Sequence, residues 1–277
     1  MLRIYQYKPE DYVKTLNKNI GVCEIQGDRA EQEDALVVNV DEKQIKGIEH
    51  LSSEQRKLIF EKTIKKMQDQ CGDERNQGST VCTVITWIDS ERVLTSCTAY
   101  VGDSSAYLVI IENDKVVIAK RLNLNLHNPP SGHLFHQFYS LALNRAIGDR
   151  SFEEVGLSHE PEIDEFKIKL PDNSRAFIIV ACDGLVEADI LDTQDIGSFV
   201  AKEALQTPEK IAAELAVLAY GLGSHDNISV AVIEMDPKKK GPVSASVFDG
   251  HGGNRVSTAL AKHFYPVLGS EIKSLKQ

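Results

Sequence analysis

Four short acidic signatures stand out in this sequence: RAEQED at 29–34, ACDG at 181–184, SHDN at 224–227 and FDGHGG at 248–253. Taken singly, each reads as a turn, because Asp bonds readily to nearby backbone and Gly tolerates positive φ. Together they carry a chemical meaning. Each carboxylate stands at the end of an apolar run or in a turn, so it can project into a cleft. Several carboxylates gathered there repel one another unless cations neutralise them. Hard oxygen ligands of this kind suit Mg²⁺ or Mn²⁺.

The elements that must position these groups are mostly strands. Stretches rich in β-branched residues run Ile20 to Ile25, Ala35 to Val40, Thr80 to Ile88, Val93 to Val101, Ala106 to Ile111, Val116 to Ala119, Ala176 to Ala181, Ile228 to Ile233 and Ser244 to Phe248. A helix is expected over Ser53 to Gln70, with Phe60, Ile64 and Met67 on one face and a capping box from Ser52 and Gln55. A second is expected over Pro208 to Tyr220, capped by Thr207 and ended by Gly221, and a third over Gln194 to Leu205. The last segment, Gly252 to Leu268, has helical spacing, with Pro266 expected to kink or end it early. Strands arriving in runs rather than in strict alternation with helices predict an α+β fold of packed antiparallel sheets with helices outside.

Composition narrows the function. The 277 residues suit one large layered domain over 1–277, and 42% hydrophobic with 26% charged residues suits a soluble globular chain. No apolar run approaches the roughly 20 residues that span a bilayer, and no secretory signal is visible, so a cytoplasmic protein without membrane partners is expected. A net charge of −10 disfavours nucleic acid as a partner. Five scattered cysteines without a C-x-x-C pair read as buried thiols. His127, His133 and His136 form a loose group for which packing or solvation is the simpler reading than a second metal centre.

In order, RAEQED, QGSTVC, AYVGDSSAY, LNRAIGD, ACDGLVE, HDNISV and FDGHGG resemble the signatures of type 2C (PPM) metal-dependent serine/threonine protein phosphatases. The resemblance implies an αββα sandwich of two antiparallel sheets with a Mg²⁺ or Mn²⁺ pair at one end. It implies that Asp249 bridges both ions, that Asp183 and Asp226 complete one site, and that Glu33 and the carbonyl of Gly250 serve the other. Asp34 would orient a water, and Asp103 matches a position linked to a weaker third ion. A water bridging the ions would attack the phosphoryl group, with Arg29, expected at the start of a strand, holding the phosphate and His251 protonating the leaving oxygen. The implied partner is a phosphoprotein substrate, and a monomer is expected. Gly78 to Thr80 and Arg145 to Asp149 match segments expected to shape the backbone around the cleft, without a catalytic role.

The sequence departs from the family in order: the FDGHGG strand and helix come last, after a polar connector at 236–242, instead of following the RAEQED strand. The connector must deliver Ser244 to Phe248 back into the sheet, which is possible because sheets depend on spatial neighbours rather than chain order. Glu187 stands where the family more often has Asp, Ser105 where it commonly has Arg, and the region from Arg121 to Leu141 is short for the flap beside the site. Two other functions fit the same residues: a noncatalytic metal- or protein-binding module, and a hydrolase of small phosphoesters. The HGG run lacks the G-x-S-x-G elbow of an α/β-hydrolase, and there is no G-x-x-x-x-G-K-[ST] loop for an NTPase.

Overall fold

The computed structural model describes residues 12–39, 44–71, 76–125, 133–187, 190–239 and 241–275. In chain order the elements are β1 (Tyr12–Asn17), β2 (Ile20–Ile25), β3 (Ala35–Asn39), α1 (Ser53–Gln70), β4 (Gly78–Ser79), β5 (Val81–Ile88), β6 (Val93–Val101), β7 (Ser105–Glu112) and β8 (Lys115–Arg121). There follow β9 (Leu134–His136), β10 (Tyr139–Leu141), β11 (Ile147–Gly148), β12 (Glu162–Lys169), β13 (Arg175–Ala181), α2 (Thr193–Lys202), α3 (Pro208–Leu222), β14 (Ile228–Met235), β15 (Val243–Phe248), β16 (Gly250–His251) and α4 (Arg255–Ser274).

Alternation along the strands builds four layers. On β5, Cys82, Val84 and Ile88 face the space between two sheets, whereas Val81, Ile85 and Trp87 face α1 and α4. On β13, Ala176, Ile178 and Val180 share that same space, and Phe177, Ile179 and Ala181 turn outward under α2 and α3. Both strands are therefore buried on both faces, which explains their unbroken apolar runs. Among the described residues one sheet has the order β1-β2-β14-β13-β7-β8 and the other β12-β6-β5-β15-β3, with every pairing antiparallel. The α+β sandwich expected from the sequence is the observed architecture.

The late strand β15 sits inside its sheet. β15 pairs with β3 through Val247↔Leu36 and with β5 through Val247↔Cys82. Ser246 bonds across to Thr83 at 2.7 Å and to the Tyr265 hydroxyl at 2.8 Å, and Phe248 packs on Phe264 with ring centroids 5.6 Å apart. These contacts tie β15 to both its neighbour and the helix that follows it.

Helix ends depart from expectation in instructive ways. α1 has the predicted bounds and its Ser52–Gln55 capping box. α3 runs past Gly221 and stops at Gly223, which takes φ 115 and satisfies the last carbonyls. α2 spans 193–202 because Asp192, with Asp195, supplies the capping box. Pro266 does not end α4. Val256, Leu260, Phe264, Leu268 and Ile272 form one buried stripe that continues through it to Ser274, so burial outweighs the missing N–H and the crowding at the carbonyl of Lys262. Pro266→Ala is expected to raise stability by about 1 kcal/mol or more, read as a shift of the urea midpoint. A lower midpoint would mean that the proline ring packs productively.

Candidate active site

The acidic groups converge where the strands of the two sheets end. Asp183 opens a short 3-10 turn after β13, Asp249 follows β15, and Asp226 stands two residues before β14. Oxygens of Asp103, Asp183 and Asp249 lie within 4.8 Å of one another, as do donor atoms of Asp34, Cys182 and Asp249. Asp103, Asp183, Asp226, Asp249, Gly250, His251 and Arg29 line one cleft of about 510 Å³.

Three loops are bolted together to achieve this. Thr80 donates its N–H to the Asp249 carbonyl at 2.8 Å and accepts the Asp249 N–H on its hydroxyl at 3.2 Å, while that hydroxyl meets Ser104 at 2.7 Å. Asn227 binds the carbonyls of Gln26 and Glu31 through its amide nitrogen and accepts from the Glu33 N–H at 2.8 Å. Glu187 accepts from Ser224 and the His225 N–H, fixing the turn that carries Asp226. Gly27, at φ 65, lets the β2–β3 loop pass against the carbonyl of Asp226, where any Cβ would overlap it.

This loop also corrects one expectation. Arg29 lies in the turn between β2 and β3, not at a strand start, because the Gln26 amide clasps the carbonyls of Arg29 and Ala30 and holds the chain curved. Its guanidinium, 54% exposed, pairs with Asp226 at 2.5 Å. The two residues expected to hold phosphate and cation respectively therefore hold each other in this structure. Glu33 lies apart from the close carboxylate groups. Its carbonyl packs against Gly250, where a Cβ would not fit, and accepts from Ser257 at 2.5 Å.

Crowding shifts the acids in one direction. Burial, then neighbouring Asp34, Asp183 and Asp103, pushes Asp249 well above the usual carboxylate range. Burial likewise raises Asp183, which stands beside Asp249. Asp226 is raised to about 6 by burial and Asp183, with Arg29 opposing. Asp34 is raised to about 7, chiefly by burial. It is 8% exposed, and neither of its carboxylate oxygens makes a hydrogen bond of good geometry, although the Ser229 hydroxyl and the Cys182 thiol stand close enough to favour its charged form. Orphaned, buried and mutually repelling oxygen donors are what a divalent cation would relieve, so the residues fit such an ion.

Sequence reading missed several contributors. Glu24, on β2, is raised to about 7 by burial and by Asp34, with the Leu36 N–H opposing. Its folded value exceeds the unfolded one, so its burden is absent below about pH 4 and complete above about pH 7. Glu24→Gln keeps an acceptor for Leu36 and is expected to stabilise the protein by on the order of 2 kcal/mol at pH 8 and negligibly at pH 4. Denaturant titrations at both pH values check this; an equal effect at each would refute it. Asp149 is the other omission. Buried to 1%, with φ 46, it bonds its carboxylate to Nε2 of His251. Burial alone would lower His251, but this bond, with the charges of Asp149, Asp103 and Glu33, raises it.

Residues 110–228 match the family model described as protein phosphatase 2C. Over 106 residues the chain is 34% identical to a probable protein phosphatase 2C of Arabidopsis thaliana, covering 38% of this chain and 32% of that protein. Over 104 residues it is 33% identical to human protein phosphatase 1A, covering 34% and 26%. The chain thus spans about a third or less of the curated relatives it matches.

Its fold resembles that of a phosphatase from a pathogenic strain of Toxoplasma gondii, with TM-score 0.56, 19% identity, and coverage of 82% of this chain and 96% of the other. A serine-threonine phosphatase 2C from Toxoplasma gondii gives TM-score 0.52 at 14% identity, covering 83% and 100%. The match to the family model takes in Asp149, Asp183 and Asp226 but not Arg29, Asp34, Asp103 or Asp249, which the fold brings beside them, nor Glu33.

The remaining residues singled out by the sequence are accounted for by packing. All five cysteines are buried and unbridged. His136 packs on Phe152 and His133 on Phe135, neither joins a metal-like group among the described residues, and His127 falls outside those residues. At the cleft wall the short β9–β10 hairpin contributes Tyr139 to Leu141 and leaves Phe135, Phe138 and Tyr139 exposed.

Proposed function

We propose that this chain is a metal-dependent phosphatase acting on phosphoserine and phosphothreonine in proteins. The observation that carries the reading is the set of crowded carboxylates, with Asp103, Asp183 and Asp249 opening onto the cleft that also presents Arg29 and Asp34 buried beside Asp249.

Asp249, Asp183 and Asp226 would hold one Mg²⁺ or Mn²⁺, and Asp249 with Glu33 and the Gly250 carbonyl a second. Asp34 would orient the water, and Asp103 adds capacity for a further ion. Two ions held this way supply an ionised nucleophile at neutral pH and offset the charge that builds on the phosphoryl oxygens. Arg29, at the cleft mouth, exchanges Asp226 for the substrate phosphate, which its planar fork of donors suits. His251 gives a proton to the departing seryl or threonyl oxygen. Thr80 and Asn227 keep the loops from drifting, which matters because ligands misplaced by about 1 Å lose much of their effect.

The exposed aromatic hairpin beside the cleft supports a polypeptide substrate over a small ester, since it offers apolar contact area outside the reacting centre. Residues 1–277 are proposed to act as one catalytic unit, monomeric and cytoplasmic, with support from composition.

The test is hydrolysis of a phosphoserine peptide by the purified protein with Mn²⁺ or Mg²⁺. Turnover abolished by a chelator and restored by either ion is expected. Mn²⁺ binding without turnover on any phosphoester would overturn the reading in favour of a noncatalytic module. Turnover confined to small esters would overturn the protein-substrate assignment.

A further inference from the structure

The contact between Asp149 and His251 has the features of a built arrangement. Asp149 is 1% exposed and follows Gly148 at φ 89, and it takes a left-handed φ of 46, a conformation that costs a non-glycine residue free energy. Its N–H is held by the carbonyl of Gln77 at 2.9 Å, and the N–H of Gly148 by the side chain of Gln68 at 2.8 Å. Gln68 in turn meets His159, whose other ring nitrogen reaches the carbonyl of Ala146 at 2.6 Å. The segment 146–149 is therefore clamped from both sides.

Space has been cleared for the pair. A Cβ on Gly78 would overlap both the Asp149 carboxylate and Nε2 of His251, although Gly78 itself sits in a strand with unremarkable φ. The glycine is required here by close approach, not by backbone freedom. β4 joins β11, which leads into Asp149, to β16, which carries His251, so one small sheet sets the two side chains against each other. Both line the cleft.

We infer that Asp149 is a positioning residue for His251: by accepting the Nε2–H it fixes the ring's orientation and leaves Nδ1 as the nitrogen that serves the leaving oxygen. The inference rests on the phosphatase reading given above. A proton moves from Nδ1–H to the seryl oxygen as the P–O bond to that oxygen breaks, while Asp149 keeps its place and its charge. This logic matches any imidazole steered by a buried carboxylate on its second nitrogen.

A comparison of leaving groups separates this role from mere support. A phosphoserine peptide must release an alkoxide and needs the proton, whereas p-nitrophenyl phosphate releases a stable phenolate and scarcely needs it. Asp149→Asn is expected to lower kcat on the peptide about ten-fold or more while changing p-nitrophenyl phosphate turnover by less than about three-fold. In a His251→Gln background the same change should add little on either substrate, because residues acting as a unit are not additive. Equal losses on both substrates, or losses that multiply with His251→Gln, would overturn the inference.

Should Asp149→Asn not fold, ¹⁵N spectra of the wild-type imidazole decide the matter. The His251 Nε2–H should be present, shifted downfield and protected from exchange, and a ring protonated on Nδ1 alone would refute the assignment. A wild type inactive on both substrates defeats the phosphatase reading instead, and the imidazole spectrum still judges the pairing.

Discussion

Asp249→Asn is expected to abolish the rise in Tm that Mn²⁺ gives the wild-type protein and to reduce phosphopeptide hydrolysis by about three orders of magnitude or more, as loss of several kcal/mol of cation assistance implies. At a Mn²⁺ concentration a hundred times its Kd, the wild type should gain about 2.7 kcal/mol. Without cation the sign reverses. Asp249, partly buried, stands among Asp34, Asp183 and Asp103, all of which oppose its ionisation. A neutral amide there relieves that opposition, so the metal-free variant should be more stable than metal-free wild type at pH 7. A relief of about 1 kcal/mol corresponds to about 2–4 °C in a chain of this size. Thermal melts with and without Mn²⁺ check both halves. A variant that still responds to Mn²⁺ would show that Asp249 is not a ligand.

Arg29→Ala should separate phosphate binding from cation binding. Loss of the guanidinium is expected to lower kcat/KM on phosphopeptides by about 100- to 1000-fold, the range found when one hydrogen-bond donor to a reacting oxyanion is removed. Arg29→Lys should recover little, because a single ammonium does not reproduce the planar fork. Metal affinity should hold or improve. Arg29 now pairs with Asp226 at 2.5 Å, and its removal frees that carboxylate for a cation. Calorimetric titration with Mn²⁺ alongside the kinetics tests this. If affinity falls in step with kcat/KM, Arg29 acts by shaping the metal site and not by holding phosphate.

Much of this was legible in the sequence, and the reasons differ by element. Central strands such as β5 and β13 are buried on both faces, so their apolar runs announce them. The caps of α1 and α3 were visible because Ser52, Gln55 and Thr207 have few other uses at those positions. β12 was overlooked. It is an edge strand whose sequence EIDEFKIK is rich in charged residues, Glu162 and Asp164 bonded to Tyr100, Glu165 paired with Arg56, and Lys167 and Lys169 exposed, which hides its pairing with β6.

The carboxylates were found because their types and order carry the chemistry. Asp149 was given only a backbone role because its part in the site depends on β4 joining two distant segments and on a glycine that leaves room for it. Arg29 was placed on a strand because nothing local reveals the Gln26 clasp that curves its loop.

The position of β15 also sets a schedule. On a ribosome, everything through β14 emerges before the strand that must lie between β3 and β5. Until then those two strands have exposed facing edges, the interior surface of their sheet is incomplete, and Asp249 is missing from the cluster. Long-range pairing of this kind closes slowly and leaves open edges available to other chains. The nascent protein thus lacks its complete carboxylate cluster and is most vulnerable to aggregation at the same stage, and both conditions end when β15 is inserted.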